Sequence, residues 1–251
     1  MSGIESDESV YSVKSLESAV SVETVTFREF RRSDRRYLED LLYDLWLDNI
    51  LKNNTKITHG EDFSGLSKVK GLIARDYLLI FLKHTSYSVT AVNSSGIPCG
   101  YLLGRCTPRS RRSPRGRYRD AIRCFSASLR QYFDGVLLRT TKYGRIYLEH
   151  RRDTQRALSA LERSVPAECE GELILFAVRS DIRGKGIGSR LIADFQDYLR
   201  RNGCGRYYLC ADDYCNTGYY EKHGYMRVAS TDVDYKDGRK GMKFHLYVRD
   251  L

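Results

Sequence analysis

Between residues 172 and 231 the spacing of apolar positions changes period several times, and each change marks an element. The run Leu173-Ile174-Leu175-Phe176-Ala177-Val178 is continuously apolar, as expected of a strand covered on both faces, and it predicts a strand over 172–178. Leu191, Ile192, Phe195, Tyr198 and Leu199 then fall at i, i+1, i+4, i+7 and i+8. That is the stripe of a helix lying on a sheet, predicted over 186–202. A strand follows at 206–211, a short helix at 214–223, and two closing strands near 225–231 and 242–249.

Upstream, Val25 to Phe30 alternates like a short strand. Ser33 stands where a helix N-cap is wanted, ahead of a stripe of Leu38, Leu41, Leu42 and Leu45 that predicts a helix over 34–51. A second helix is predicted over 66–83. The stretch 87–105 reads as a hairpin turning at Asn93-Ser94-Ser95-Gly96. Residues 107–119 hold two of the four prolines, with six arginines between 109 and 119, and read as a loop. Helical spacing returns at 120–134 and 153–164, and the stretch between them fits no single period. Residues 1–24 repeat serine at every third position from Ser6 to Ser21 around single small apolar residues, which is the composition of a flexible tail.

The chemistry concentrates in the turn between the 172–178 strand and the following helix. Arg183-Gly184-Lys185-Gly186-Ile187-Gly188 removes the Cβ atom at alternate positions just where the first helical N–H groups lack carbonyl partners. An anion can approach such amides closely, at the positive end of the helix dipole, and Arg183 and Lys185 add charge. The spacing is not that of a Walker A loop. It fits a dinucleotide fingerprint poorly, because the register from Gly186 meets Leu191 where a small residue is needed. A glycine turn without any ligand is the plain alternative.

Arg183-x-x-Gly186-x-Gly188 resembles the pyrophosphate loop of the GNAT (GCN5-related) N-acetyltransferases. A second motif of that family is matched downstream by Asn216-Thr217-Gly218-Tyr219-Tyr220-Glu221-Lys222-His223-Gly224-Tyr225, in the family's order. The resemblance is specific over 172–231 and weaker over 25–106. It leaves 1–24 and 107–168 uncovered, so it implies one GNAT domain over 25–251 with a basic, helical insertion at 107–168. The implied fold is α/β, a mixed and mostly antiparallel sheet flanked by helices, with a parallel pair at the cofactor strand.

The implied reaction is direct transfer of an acetyl group from acetyl-CoA to an amine. The backbone of Phe176 and Val178 would pair with the acyl and pantetheine groups. Gly184, Lys185, Gly186, Ile187, Gly188 and Ser189 would hold the diphosphate, with Arg183 securing the start of the loop and Asn216 touching the cofactor. Glu172 shares a strand face with Ile174, Phe176 and Val178 by simple alternation and would be the general base. Tyr220 would return a proton to the departing thiolate, a task suited to a phenol that stays protonated at neutral pH. His223, Cys210 and Cys215 read instead as a helix-end residue and two small hydrophobes. No metal is implied.

The net charge of +10 is uneven. Glu5, Asp7, Glu8, Glu17 and Glu23 against Lys14 make residues 1–24 net −4, which leaves +14 for the rest. A basic body suits an anionic partner. The arginine-rich insertion could therefore cap the acceptor pocket, offer a homodimer surface or contact phosphates. A nucleic-acid-binding module on a GNAT-like scaffold, and a catalytically silent CoA-binding regulatory domain, are the competing functions. Nucleic acid is the less favoured partner. No run is long and apolar enough for a membrane span, and the amino terminus lacks the pattern of a secretory signal. Seven cysteines without C-x-x-C or metal spacing read as reduced thiols, hence a cytoplasmic protein.

Overall fold

A computed structural model describes residues 24–48, 51, 64–106, 114–235 and 241–251, with backbone alone for 64 and 114–123. Among the described residues seven strands make one sheet: β1 (Thr26–Arg28), β2 (Tyr87–Val92), β3 (Pro98–Cys106), β4 (Gly171–Val178), β5 (Arg206–Asp212), β6 (Met226–Asp232) and β7 (Lys243–Asp250). Their order across the sheet is β1-β2-β3-β4-β5-β7-β6. Every neighbour pairing is antiparallel except β4 with β5. The mixed, mostly antiparallel α/β architecture is thus as the apolar pattern and the resemblance predict. The helices are α1 (Arg35–Leu42), α2 (Ser64–Leu82), α3 (Pro114–Arg139), α4 (Lys142–Glu162), α5 (Ile187–Arg201) and α6 (Thr217–Lys222).

The two faces of the sheet are covered differently. On one, α5 and α6 bury Ile187, Leu191, Phe195, Leu199 and Tyr220 against Leu102, Leu173, Tyr207 and Tyr247. On the other, α1 and α2 cover Tyr101, Leu103 and Leu175, while α4 covers Tyr208, Leu246 and Val248 through Ala157 and Leu161. A further apolar cluster joins α2 to the end of α3 and the start of α4 through Ile73, Leu138 and Tyr147.

Polar groups also tie this second layer together. Helix α3 runs antiparallel to α2, with Arg75 held bidentately by Asp134 at 2.6 and 3.0 Å and Gln131 donating to the Asp76 carbonyl at 3.2 Å. Asp76, fully buried, accepts from the Tyr147 hydroxyl at 2.6 Å and from Arg151 at 2.5 Å. Burial and the adjacent Asp76 carboxylate hold the Tyr147 phenol well above its ordinary range.

Several sequence expectations need correcting. Ser33 is not the cap of the first helix. The chain enters through a 3-10 turn at Arg32–Asp34, and buried Asp34 organises it, accepting the Arg31 N–H at 2.7 Å and the Arg28 guanidinium at 2.7 and 2.9 Å. The α-helix proper stops at Leu42 and continues as a π-helical turn over Tyr43–Leu47. Residues 114–119 are helical rather than loop, and the two helices expected at 120–134 and 153–164 are the longer α3 and α4. The stretch without a period is where they meet. Thr141 caps α4 by accepting the Gly144 N–H at 3.1 Å, and a Cβ on Gly144 would lie 2.1 Å from the Leu138 carbonyl oxygen. Nor are all seven thiols free: Cys106 is joined to Cys204, a pair 98 residues apart. The serine-rich segment 1–23 and the arginines of 107–113 lie outside the described residues.

Candidate acetyl-transfer site

The parallel pair β4–β5 is short. It holds only over Gly171↔Tyr207, Glu172↔Tyr208 and Leu173↔Leu209, after which the strands diverge. From Leu175 to Val178, β4 keeps its antiparallel partner β3 on one edge while the edge toward β5 is open. The gap lies in the middle of the sheet, at the carboxyl end of β4, where an extended ligand can add itself as a strand.

A bulge decides which side chains border the gap. The register of β3 with β4 shifts between Leu103 and Gly104, so Leu103 meets Leu175 and Gly104 meets Leu173, leaving Ile174 as the extra residue. An extra residue reverses alternation beyond it. Glu172 therefore does not share a face with Phe176 and Val178, contrary to simple counting. Phe176 and Val178 pack against the α5 side of the sheet, whereas Glu172 sits on the opposite face, paired with Arg105 and flanked by Tyr208. Arg105 also donates to the Tyr208 hydroxyl at 3.2 Å. Burial raises the Glu172 carboxyl above its usual range, and the Arg105 guanidinium opposes that shift.

The glycine turn lies at the mouth of the gap. Gly184 and Gly186 have φ of +81° and +77°, a left-handed backbone that favours glycine. Gly186 is the N-cap of α5, and no side chain caps it. The N–H groups of Ile187, Gly188 and Ser189 therefore start the helix without side-chain acceptors, in a stretch where Arg183 to Gly186 and Ser189 are exposed. Gly188 is needed for a different reason: a Cβ there would lie 3.0 Å from the Phe176 ring. Arg183 donates from Nε to the Val178 carbonyl at 3.1 Å, tying the loop back to the end of β4.

Helix α6 flanks the gap from the β5 side. The Asn216 side chain accepts the Tyr219 N–H at 3.3 Å and so caps that helix. The Tyr219 ring lies 6.0 Å from Phe176 and stacks on His223 at 4.0 Å. His223 is thereby held at a helix end, as the sequence suggests. Tyr220 is buried among Tyr225 and Tyr247, at ring distances of 5.3 and 5.5 Å, and burial keeps its phenol protonated far beyond neutral pH. Burial pushes the thiols of Cys210 and Cys215 up to about 12 each, so neither supplies a thiolate at neutral pH.

Over residues 136–225, from the end of α3 to Tyr225, the chain matches the Acetyltransferase (GNAT) family. Those residues carry a GNAT acetyltransferase domain. The matched GNAT segment includes α4, β4, the glycine turn, α5, β5 and α6. Among solved structures, SsHAT is 17% identical, with 90% of this chain and 98% of that chain covered, at a TM-score of 0.50. NAA60 of Arabidopsis thaliana in complex with a bisubstrate analogue is 13% identical, covering 90% and 98% at 0.48. A GNAT-family acetyltransferase of Staphylococcus aureus Mu50 is 12% identical, covering 91% and 99% at 0.46. At 17% identity the likeness to SsHAT speaks to the fold alone. No curated protein matches the sequence.

Sequence reasoning missed two partners of Glu172, Arg105 and Tyr208. Neither stands in a motif, and Arg105 lies 67 residues before Glu172, near the end of a hairpin strand. The bulge at Ile174 had no signal of its own, because an extra residue inside a continuously apolar run changes no pattern. Among the described residues no three His, Cys, Asp or Glu side chains cluster as metal ligands, and no helix is long and apolar enough to cross a membrane.

Proposed function

We propose that the chain moves an acetyl group from acetyl-CoA to an amine acceptor by direct transfer. The observation that carries this reading is the uncapped amide row of Ile187, Gly188 and Ser189, beside the gap where β4 leaves β5. A diphosphate fits that row: its oxygens accept N–H bonds at the positive end of α5, and the missing Cβ atoms leave room. Arg183, Gly184, Lys185 and Gly186 complete the loop. The open backbone edge at Phe176 and Val178 can pair with the pantetheine amides, as an added strand does. Bound there, acetyl-CoA supplies the activated thioester.

Glu172 and Tyr220 lie on opposite faces of the sheet, Glu172 on the paired stretch of β4 just before it leaves β5. An amine entering from the Glu172 face meets a carboxylate that accepts its proton, directly or through water. The thiolate departs toward the Tyr220 face, where a phenol held protonated by burial donates to the sulfur. A backbone N–H of β4 facing the gap stabilises negative charge on the carbonyl oxygen.

Release of free thiol from acetyl-CoA across a panel of polyamines, aminoglycosides, amino acids and peptide amines tests this function. At least one acceptor should turn over. The raised Glu172 carboxyl predicts a rate that climbs with pH through a midpoint above the ordinary carboxylate value. Glu172→Gln should remove that limb. Cofactor binding without turnover of any acceptor would refute transfer and favour a silent CoA-binding domain.

A further inference from the structure

Helix α3 has two apolar faces, and only one is covered. Ala127, Gln131, Asp134 and Leu138 are buried against α2 and α4. The opposite face carries Phe125, Leu129, Tyr132, Phe133, Val136 and Leu137, with Phe125, Tyr132 and Phe133 exposed by 71, 65 and 58%. Ser126, Ser128 and Arg130 are the exposed polar residues among them, so this face has no acidic side chain between 125 and 137. Elsewhere among the described residues, exposed large apolar side chains are dispersed, on α1 at Tyr37, in the hairpin turn at Ile97, at Tyr214, and on β6 at Met226 and Val228. A contiguous apolar patch on a soluble chain marks an interaction surface.

We infer that this face of α3 is a homodimer interface, with a second copy of the chain packed antiparallel across a two-fold axis near Gln131. The spacing fits a self-complementary contact. Phe125, Leu129, Phe133 and Leu137 form one i, i+4, i+8, i+12 ridge that alternates aromatic with aliphatic. Reversed about its centre, the ridge sets Phe125 against Leu137 of the partner subunit and Leu129 against Phe133 of the partner subunit. Large side chains then meet smaller ones at every step, the condition for ridges to enter grooves.

The area also fits. Large apolar and aromatic side chains carry roughly 150–250 Å² each, so six at these exposures offer on the order of 600 Å² per copy. Two copies together bury about 1,200 Å², the lower end of stable specific interfaces. The interface would be mostly apolar, as in homodimers.

Sedimentation velocity of the full chain across micromolar concentrations tests this. The wild type should sediment as two chains. Leu129→Glu with Phe133→Glu, and separately Phe125→Glu, should raise the dimer dissociation constant at least tenfold with unchanged circular dichroism, because these side chains point outward. Met226→Glu, at an exposed apolar side chain on β6, should leave the dimer intact. A wild type that sediments as one chain overturns the inference, whether the amino-terminal segment or another protein covers the face. So does a dimer that survives both α3 variants, since its interface then lies elsewhere.

Discussion

The two faces of the sheet are built on different principles. The face under α5 and α6 is an apolar core laid down by short-range patterns: a helical stripe, a glycine turn and a tyrosine-rich helix within 55 residues of one another. The face under α2, α3 and α4 is held by buried ionic contacts between residues 59 to 75 positions apart, Arg75 with Asp134, and Asp76 with Tyr147 and Arg151. Glu172 with Arg105 belongs to the same style, 67 residues apart. On the proposed reading, local pattern suffices for a cofactor cradle, because an anion needs only backbone amides and missing side chains. The proposed acceptor wall needs particular polar groups in particular places, and the chain recruits them from distant elements.

That contrast can be broken most sharply at Asp76. Asp76→Ala leaves the Arg151 guanidinium and the Tyr147 hydroxyl without their acceptor, and a severed buried pair costs about 3–5 kcal/mol. The urea midpoint should fall accordingly, while the folded variant keeps its affinity for acetyl-CoA. A loss under about 1 kcal/mol would make the network ornamental and the two faces alike.

Tyr220→Phe probes the other face. It removes the proposed proton donor to the thiolate while preserving the ring packing with Tyr225 and Tyr247. Steady-state kinetics should give a kcat lower by about 100-fold, the lower range for a general acid, with acetyl-CoA affinity unchanged. An unchanged kcat would reduce Tyr220 to core packing.

Asn216→Ala is the finest discriminator. Lost capping should cost about 1 kcal/mol in thermal unfolding and leave acetyl-CoA affinity within about twofold. A tenfold weaker affinity, about 1.4 kcal/mol, would support the cofactor contact that the resemblance assigns to this residue.

The legibility of the chain follows the same division. Strand β4, the turn, α5, β5 and α6 fall within a few residues of their sequence-read bounds, since each has its own period and stop signal. The meeting of α3 and α4 was opaque because buried polar residues interrupt the apolar stripe: Gln131 and Asp134 are satisfied from α2, His150 by the Tyr235 hydroxyl, and Asp153 by arginines of its own helix. A residue such as Asp134 reads as solvent-facing until Arg75 is seen beside it. The candidate site was half legible. Motif spacing found the glycine turn and Tyr220, but strict alternation put Glu172 on the wrong face, because the Ile174 bulge leaves no trace in a continuously apolar strand.

Isothermal titration of coenzyme A tests the cradle most directly, with wild type, Gly186→Val and Gly188→Val compared after circular dichroism shows each folded. Valine at 186 must adopt a left-handed backbone, and at 188 it drives Cβ into the Phe176 ring. Saturable heat with the wild type, and affinity lower by about a hundredfold or about 2.7 kcal/mol in both variants, is the predicted result. No heat with the folded wild type, or equal affinity in all three, would contradict it.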